Sequence, residues 1–560
     1  MSTQRPVTPE LVVVEAKASV SPAAFDEIKT PHDEFTELEG GALRPGGAPS
    51  VYSWEHIGLL AHIASVGVVY GAVYEATYSV LNNYLQLSAV MVATASALVR
   101  IPRAMRWLTA IFSDCYPIMG YRRRPYMIIG WTMTFVCCLI MAIMPLGEPY
   151  YMDSKLIGKS VDDLTEEQLK TINFDAPDKG SLLIALMMLA NIGTVIAFGA
   201  ADGYTIELAQ REPEAIRGST QTRVSGVRQI FLVLSSFLTG IALNGVNYGG
   251  DFSWTIGFNA VMAICAAFAF ITIPMSWFCM TETKAPTTGL RDIFAYLYDL
   301  VQHRVMYQVV AYKFFRQVFS LISVTANSPI QSTWAGVTPL NSGIASMLTY
   351  LVAFISLYLV RKFGLNWSWR WMIIVCQFAV VAIDMIPTFL TVWNVYRSQW
   401  FWLGVPLLEE FPDTMGDFIA NMFVNEITDV GREATVMGVV ISLSALGTPF
   451  ATVVTKSVDS YFDIERSYIK KDTHHVRMEV TYAYIIAYAF NLASVIFVIW
   501  LPRQKAETRE LKKNGGKSKF MGILTICYIT FAFAWTIMTN ILSLWPSTKC
   551  LRIAGGTGCK

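Results

Sequence analysis

The sequence is poor in charge. Charged residues make up 15% of its 560 positions and hydrophobic residues 54%. A soluble protein of this length needs more polar surface than that, so the chain reads as a membrane protein. Excess charge of one sign is also missing. The formal net charge is +1, which supplies no electrostatic footprint for nucleic acid. The same composition excludes secreted, disordered and single-span receptor classes. Histidine is scarce at six, and only His62 sits within an apolar run, so histidine catalysis and metal binding are poorly supplied. The nine cysteines form no C-x-x-C pair, which leaves neither a zinc ribbon nor a redox motif. There is no G-x-x-x-x-G-K loop for ATP-driven transport. No basic, then apolar, then cleavable leader opens the chain, so insertion would rely on the first span. Alternating strand-like patterning is absent too, which argues against a transmembrane barrel.

What the sequence does have is long apolar runs. They fall at about 56–80, 87–113, 125–146, 181–208, 219–245, 255–279, 304–328, 340–360, 371–394, 399–426, 434–457, 479–501 and 520–545. Each is near the twenty residues a spanning helix requires. The tenth is interrupted by Glu409, Glu410, Asp413 and Asp417. Residues 1–50 hold six prolines and eight acids against four basic residues, a composition that predicts a disordered cytosolic arm. Lys and Arg cluster in alternate short loops, whereas the short loops of the other face contain only Arg397. That asymmetry predicts a cytosolic N-terminus. The polar segment 281–304 separates two six-span halves, 51–280 and 305–505. It carries an amphipathic run in which Ile293, Phe294, Leu297, Leu300 and Val301 share a face. Residues 506–560 comprise a basic segment, a thirteenth span and a short outer tail. This layout predicts an all-α major-facilitator bundle with an extra C-terminal transmembrane helix.

The most distinctive segment is S-D-C-Y-P-I-M-G-Y-R-R-R-P-Y at 113–126. Asp114 ends one span, Gly120 turns the chain, and Arg122, Arg123 and Arg124 precede the next. Pro125 suits the first turn of a helix. Asp114 can bond a helix N-terminus or an arginine across the bundle. Arginines alone are also explained by topology.

Here the chain resembles the folate–biopterin transporters, a branch of the major facilitator superfamily. It matches their S-D-x-x-P-I-x-G-Y-R-R-R-P-Y signature at each fixed position. A second block is matched by Asp202, Glu207, Arg217, Gly218 and Gln221, with Arg228 following, and a third by Gly431, Glu433, Ala434 and Thr435. In a later block, Ser442, Leu446 and Gly447 match while Ala445 replaces Asn. Arg106 and Trp107 stand where the family has Lys-Pro. Ala197 and Phe198 stand where it has a further Asp, and Thr428 and Asp429 where it has Cys-Pro. The resemblance covers about 55–505, and 500–505 is most similar to oomycete members. It implies a non-enzymatic secondary transporter of pteridines such as folate or biopterin, with no cofactor.

Ionisable residues within spans cost about 2.5–3.5 kcal/mol each at mid-bilayer, so they should face a cavity or a partner. The candidate substrate-binding residues are Glu75, Arg103, Arg106, Asp202, Arg228, Lys313 and Arg316. Arg103 and Arg106 share a helix face, as do Lys313 and Arg316. Arginine forks suit carboxylates, and Tyr70, Tyr74, Tyr78, Phe198 and Tyr204 could stack on a ring. Each ionic group could instead pair structurally to hold helices together. The candidate gating set is Asp114, Gly120, Arg122, Arg123, Arg124 and Glu433, closing the cytosolic side by docking one half on the other. Protons, through Glu75, Asp202 or Asp384, and membrane lipid are the other expected partners. The expected location is the plasma membrane. S-adenosylmethionine, thiamine, an amino acid or a drug are alternative solutes. A polytopic membrane enzyme is the alternative of another class, for which His62 alone is insufficient. Cys550 and Cys559, on an outer tail, would close a short disulfide loop in an oxidising compartment.

Overall fold

The computed structural model of the protein describes residues 41–551, apart from 153–164, most of 88–104, and residues 249, 251, 338, 465, 545, 546 and 549. Cys559, and with it the expected disulfide loop, lies outside the described residues. Among the described residues the chain is helical, and ten helices are long and apolar enough to cross a membrane. The protein is a multi-pass membrane protein.

The first half contains α1 (Ile57–Tyr78), α2 (Arg106–Cys115), α3 (Arg124–Ile143), α4 (Gly180–Gln210), α5 (Ser219–Ala242) and α6 (Phe258–Phe278). A short amphipathic helix, α7 (Leu290–Gln302), leads to the second half. That half contains α8 (Arg304–Ser320), α9 (Pro339–Leu359), α10 (Trp369–Val392), α11 (Gln399–Ile419), α12 (Glu433–Asp459) and α13 (His474–Ala493). Two further helices close the described chain: α14 (Lys505–Asn514) and α15 (Lys519–Leu544).

Three expected spans are not among the ten. Most of 88–104, where the second expected span begins, lies outside the described residues. Helix α8 stops at Ser320, short of the expected end at 328, and a separate short helix follows at Asn327–Thr333; α8 also carries Arg304, Lys313 and Arg316. Helix α11 has the length, but its four acids dilute its apolar run.

Packing within each half follows membrane rules, with small residues where helices meet. A Cβ on Gly130 of α3 would lie 2.4 Å from the Gly193 carbonyl of α4, so only glycine allows this approach. The lipid-facing sides keep large apolar residues exposed, such as Ile140 and Ile143 on α3 and Trp371 and Val375 on α10. In water such a surface would aggregate; in lipid it is the expected one. His62 is buried edge-on against Trp131, with ring centroids 5.3 Å apart, inside the first half.

Helix α7 splits its apolar face between two neighbours. Ile293 packs with Ile111 and Cys115 of α2, and Leu300 joins the core of the second half, while Phe294 stays exposed. Helix α15 also touches both halves. Phe533 meets Trp107 edge-on at 6.3 Å, and Trp535 stacks on Phe450 at 5.4 Å. Lys517, just before α15, pairs with Asp299 of α7 at 2.6 Å.

Candidate functional site

Two charged assemblies lie between the halves. The first seals the end of the bundle that carries the 122–124 loop. Arg123 is fully buried there. Its guanidinium donates to Asp114 at 2.5 Å, to Glu207 at 2.9 Å and, from the second half, to Glu433 at 2.9 Å. Burial alone would lower the Arg123 pKa, but Asp114 and Glu207 outweigh it and hold it above its ordinary value. The space for the guanidinium comes from Gly203, where a Cβ would lie 2.7 Å from Arg123 Cζ. Asp114 is also fully buried, and its second oxygen accepts the Thr435 amide at 2.7 Å. That amide belongs to the first turn of α12, where a carboxylate is stabilised by unpaired N–H groups and the helix dipole. The turn itself is pinned by Glu282, which accepts the amides of Arg122, Arg123 and Arg124 at 2.6, 2.8 and 3.1 Å. Burial raises the Glu282 pKa, opposed by those bonds.

The seal continues on its other flank. Arg217 donates to both oxygens of Glu426, at 2.6 and 2.8 Å. Gln221 and Asn425 exchange side-chain amide bonds, both 2.9 Å, and Gln210 donates to the Thr428 carbonyl at 2.9 Å. Helix α14 caps this flank. Lys505 donates to the Glu214 carbonyl at 2.8 Å, and Lys512 pairs with Asp429 at 2.6 Å. Burial brings the Lys505 pKa down to about 8.

The polar arm enters the seal as well. Leu43 and Arg44 donate backbone amides to the Gln210 carbonyl at 2.9 and 3.1 Å. The Arg44 guanidinium pairs with Glu433 and lies 3.9 Å from Glu207. One arginine of the arm thus bridges acids of both halves. The arm, read as unstructured through residue 50, is held from residue 41 onward, where Arg44 finds the buried Glu433 carboxylate and the half-buried Glu207.

Above the seal is a cavity of about 360 Å³ between the halves. Arg103, Arg106, Phe198, Asp202 and Arg228 line its first-half wall. Arg106 is ion-paired with Asp202, donates to the Phe198 carbonyl at 3.2 Å, and lies over the Phe198 ring at 3.9 Å. Arg228 lies 5.9 Å from the centre of the same ring. The Phe198 ring is therefore shared by two guanidiniums. Arg103 donates to the Tyr70 hydroxyl at 3.1 Å. Glu410, Asp413 and Asp417 of α11, with Asn421, line the opposite wall. A second cavity of about 490 Å³ lies within the second half and is lined by Asp384, Glu409, Glu410 and Asp413. Glu410 and Asp413 line both.

Of the residues expected to meet substrate, four line the central cavity: Arg103, Arg106, Asp202 and Arg228. Three do not. Lys313 and Arg316 lie behind the wall, where Lys313 donates to Asn421 at 2.7 Å and Arg316 pairs with Asp417 at 3.2 Å. Glu75 accepts a bond from the Ser236 hydroxyl, between α1 and α5. Within the gating set, Asp114, Arg123 and Glu433 meet directly. Arg122 reaches the Pro286 carbonyl at 3.4 Å, Arg124 lies over the Tyr121 ring at 5.3 Å, and Gly120 sits in a left-handed turn at φ 85°. The acids of α11 were read only as an interruption. Their signal was the spacing: 410, 413 and 417 stand at i, i+3 and i+7, which places them on one helix face.

The BT1 family model matches residues 67–198. No curated protein matches the chain. Among solved structures, the chain is similar to a D-xylose-proton symporter at a TM-score of 0.51 and 14% identity, covering 82% of this chain and 99% of that one. It is similar to a double Trp mutant of XylE at 0.56 and 13%, covering 81% and 98%. It is also similar to the human organic anion transporter MFSD10 at 0.51 and 12%, covering 79% and 98%. At such identities the likeness is one of fold: the chain shares the helical fold of these transporters.

Proposed function

We propose that the chain is a secondary transporter that moves a pteridine-like solute by alternating access. The observation that carries this reading is the central cavity: charged residues of both halves face one another across a space of about 360 Å³, directly above a seal of inter-half ion pairs. Rocking the halves would break the seal and expose the same site at the opposite end. Arginine forks and the Phe198 ring supply carboxylate pairing and stacking, which suits folate or biopterin. The sealed end is assigned to the cytosol on the basic-loop rule, and the plasma membrane is the proposed location.

Proton coupling fits Glu75 and Asp384 better than Asp202. Asp202 is neutralised by Arg106, whereas Glu75 and Asp384 meet hydroxyls, those of Ser236 and Tyr488. A membrane carboxyl without a cationic partner can take and release a proton at modest cost. The test is radiolabelled folate uptake into proteoliposomes, with and without a pH gradient. The proposal expects accumulation that follows the gradient. Absence of uptake in either condition removes the pteridine reading, and gradient-independent uptake removes the coupling.

A further inference from the structure

The central cavity is divided by charge between the halves. Every arginine lining it comes from the first half: Arg103, Arg106 and Arg228. Asp202, on the same wall, neutralises Arg106. Arg103 donates to the Tyr70 hydroxyl and lies over its ring, and Arg228 lies over the Phe198 ring; among the described residues neither is within ion-pair distance of an acid, though Asp202 acts on Arg228 from farther off. On the opposite wall, Arg316 neutralises Asp417 from behind. Glu410 accepts the Thr414 hydroxyl at 2.6 Å, and among the described residues neither it nor Asp413 lies within ion-pair distance of a basic group, although Arg316 lies close enough to act on Asp413 electrostatically. Two guanidiniums on one half and two carboxyls on the other thus line the cavity without an ion pair among the described residues. Gln229, 9% exposed, lines the same cavity, and its side-chain oxygen has no partner there.

We infer that this site selects a dipolar solute, with Arg103 and Arg228 of the first half holding its anionic end and Glu410 and Asp413 of the second half holding a cationic or N–H-rich edge. The inference rests on the transporter reading and sharpens it by assigning each end of the solute to one half. A bare like-charge pair on either wall repels itself in a low dielectric. A solute that neutralises only one wall leaves the other uncompensated. A solute that reaches both walls relieves both and draws the halves together. Its differential contacts with the open and closed arrangements supply the free energy of rocking. Arg228 and Asp413 are accordingly specificity-determining residues, each for one end of the solute, rather than general attractors of charge.

The experiment measures binding to the purified full-length chain, using folate, biopterin, S-adenosylmethionine and glutarate. Folate carries an N–H-rich ring edge and carboxylates; biopterin carries the edge alone. S-adenosylmethionine is a zwitterion without a pterin, and glutarate is a simple dianion. Losing one charge-assisted contact costs about tenfold or more in affinity. Arg228→Gln should therefore weaken folate about tenfold and spare biopterin, while Asp413→Asn should weaken both alike. Arg228→Lys and Asp413→Glu should retain part of the binding, which separates lost charge from lost fold. If wild type binds S-adenosylmethionine but neither pterin, the pteridine reading fails and the charge division stands. If glutarate binds as tightly as the dipolar probes, if no dipolar probe binds, or if both variants weaken the same probes equally, the charge division is overturned.

Discussion

The seal and the central cavity use the same residue types to opposite ends. In the seal, Arg123 has three carboxylate partners and Arg217 has both oxygens of Glu426, so these charges are satisfied and buried. In the cavity, Arg103 and Arg228 line one side and Glu410 and Asp413 the other, and among the described residues none of the four is in an ion pair. Completed pairs hold two halves together. On the proposed reading, incomplete ones are completed by a solute. The difference shows that charge in a membrane bundle is informative only once its partners are known, because a buried pair is strongly destabilised when one member is removed.

The largest expected effect comes from removing the charge that orders the cavity wall. Arg106→Ala leaves the half-buried Asp202 without its ion-pair partner and should abolish folate uptake at normal surface expression; full uptake by a well-expressed variant contradicts the site. Next is the seal. Asp114→Asn loses its charge toward Arg123 and the α12 N-terminus, so it should lower the maximal transport rate more than the apparent affinity. A fall in affinity with an unchanged rate would sink the gate assignment.

Arg44→Gln should have a smaller effect. Glu433 and Glu207 keep Arg123, so the seal survives, but the arm loses its anchor. Protease sensitivity of the arm should rise severalfold while uptake persists. Equal proteolysis of wild type and variant would show that Arg44 does not tether the arm.

The smallest effect lies at the opposite end. Burial pushes the Asp472 carboxyl up, but bonds from Arg397 and Arg477 outweigh this and bring it down to about 2. A depressed carboxyl contributes stability above its unfolded value near 3.8, which is lost as pH falls toward 2. Asp472→Asn should lower the melting temperature slightly at pH 7, and the gap should narrow below pH 4. A gap constant with pH would refute the ion-pair origin.

How much of this was legible depended on whether the signal was local. The turn at 113–126 announced a hinge because its aspartate, glycine and arginines are contiguous, and Asp114 and Arg123 do meet in the seal. The partner Glu433 is 310 residues away from Arg123 in sequence and was reachable only through family resemblance. Arg103, Arg106, Asp202 and Arg228 were found because a charge within an apolar run is conspicuous. Lys313 and Arg316 stood out for the same reason yet serve behind the wall, since spacing cannot say which side of a helix meets a cavity. The acids of α11 were obscured because hydropathy averages treat them as damage to a span. Arg44 left no signal, lying in a segment whose composition predicts disorder.

The central claim is that the inter-half ion pairs close one end of a central site. A single thiol at Thr205→Cys, in a chain whose other cysteines are replaced, reports access to the cavity wall. Its labelling by a membrane-impermeant reagent, applied from the side of the 122–124 loop, should be slow. It should rise severalfold when Glu433→Gln removes the partner of Arg123. Equal labelling with and without that substitution would contradict the account.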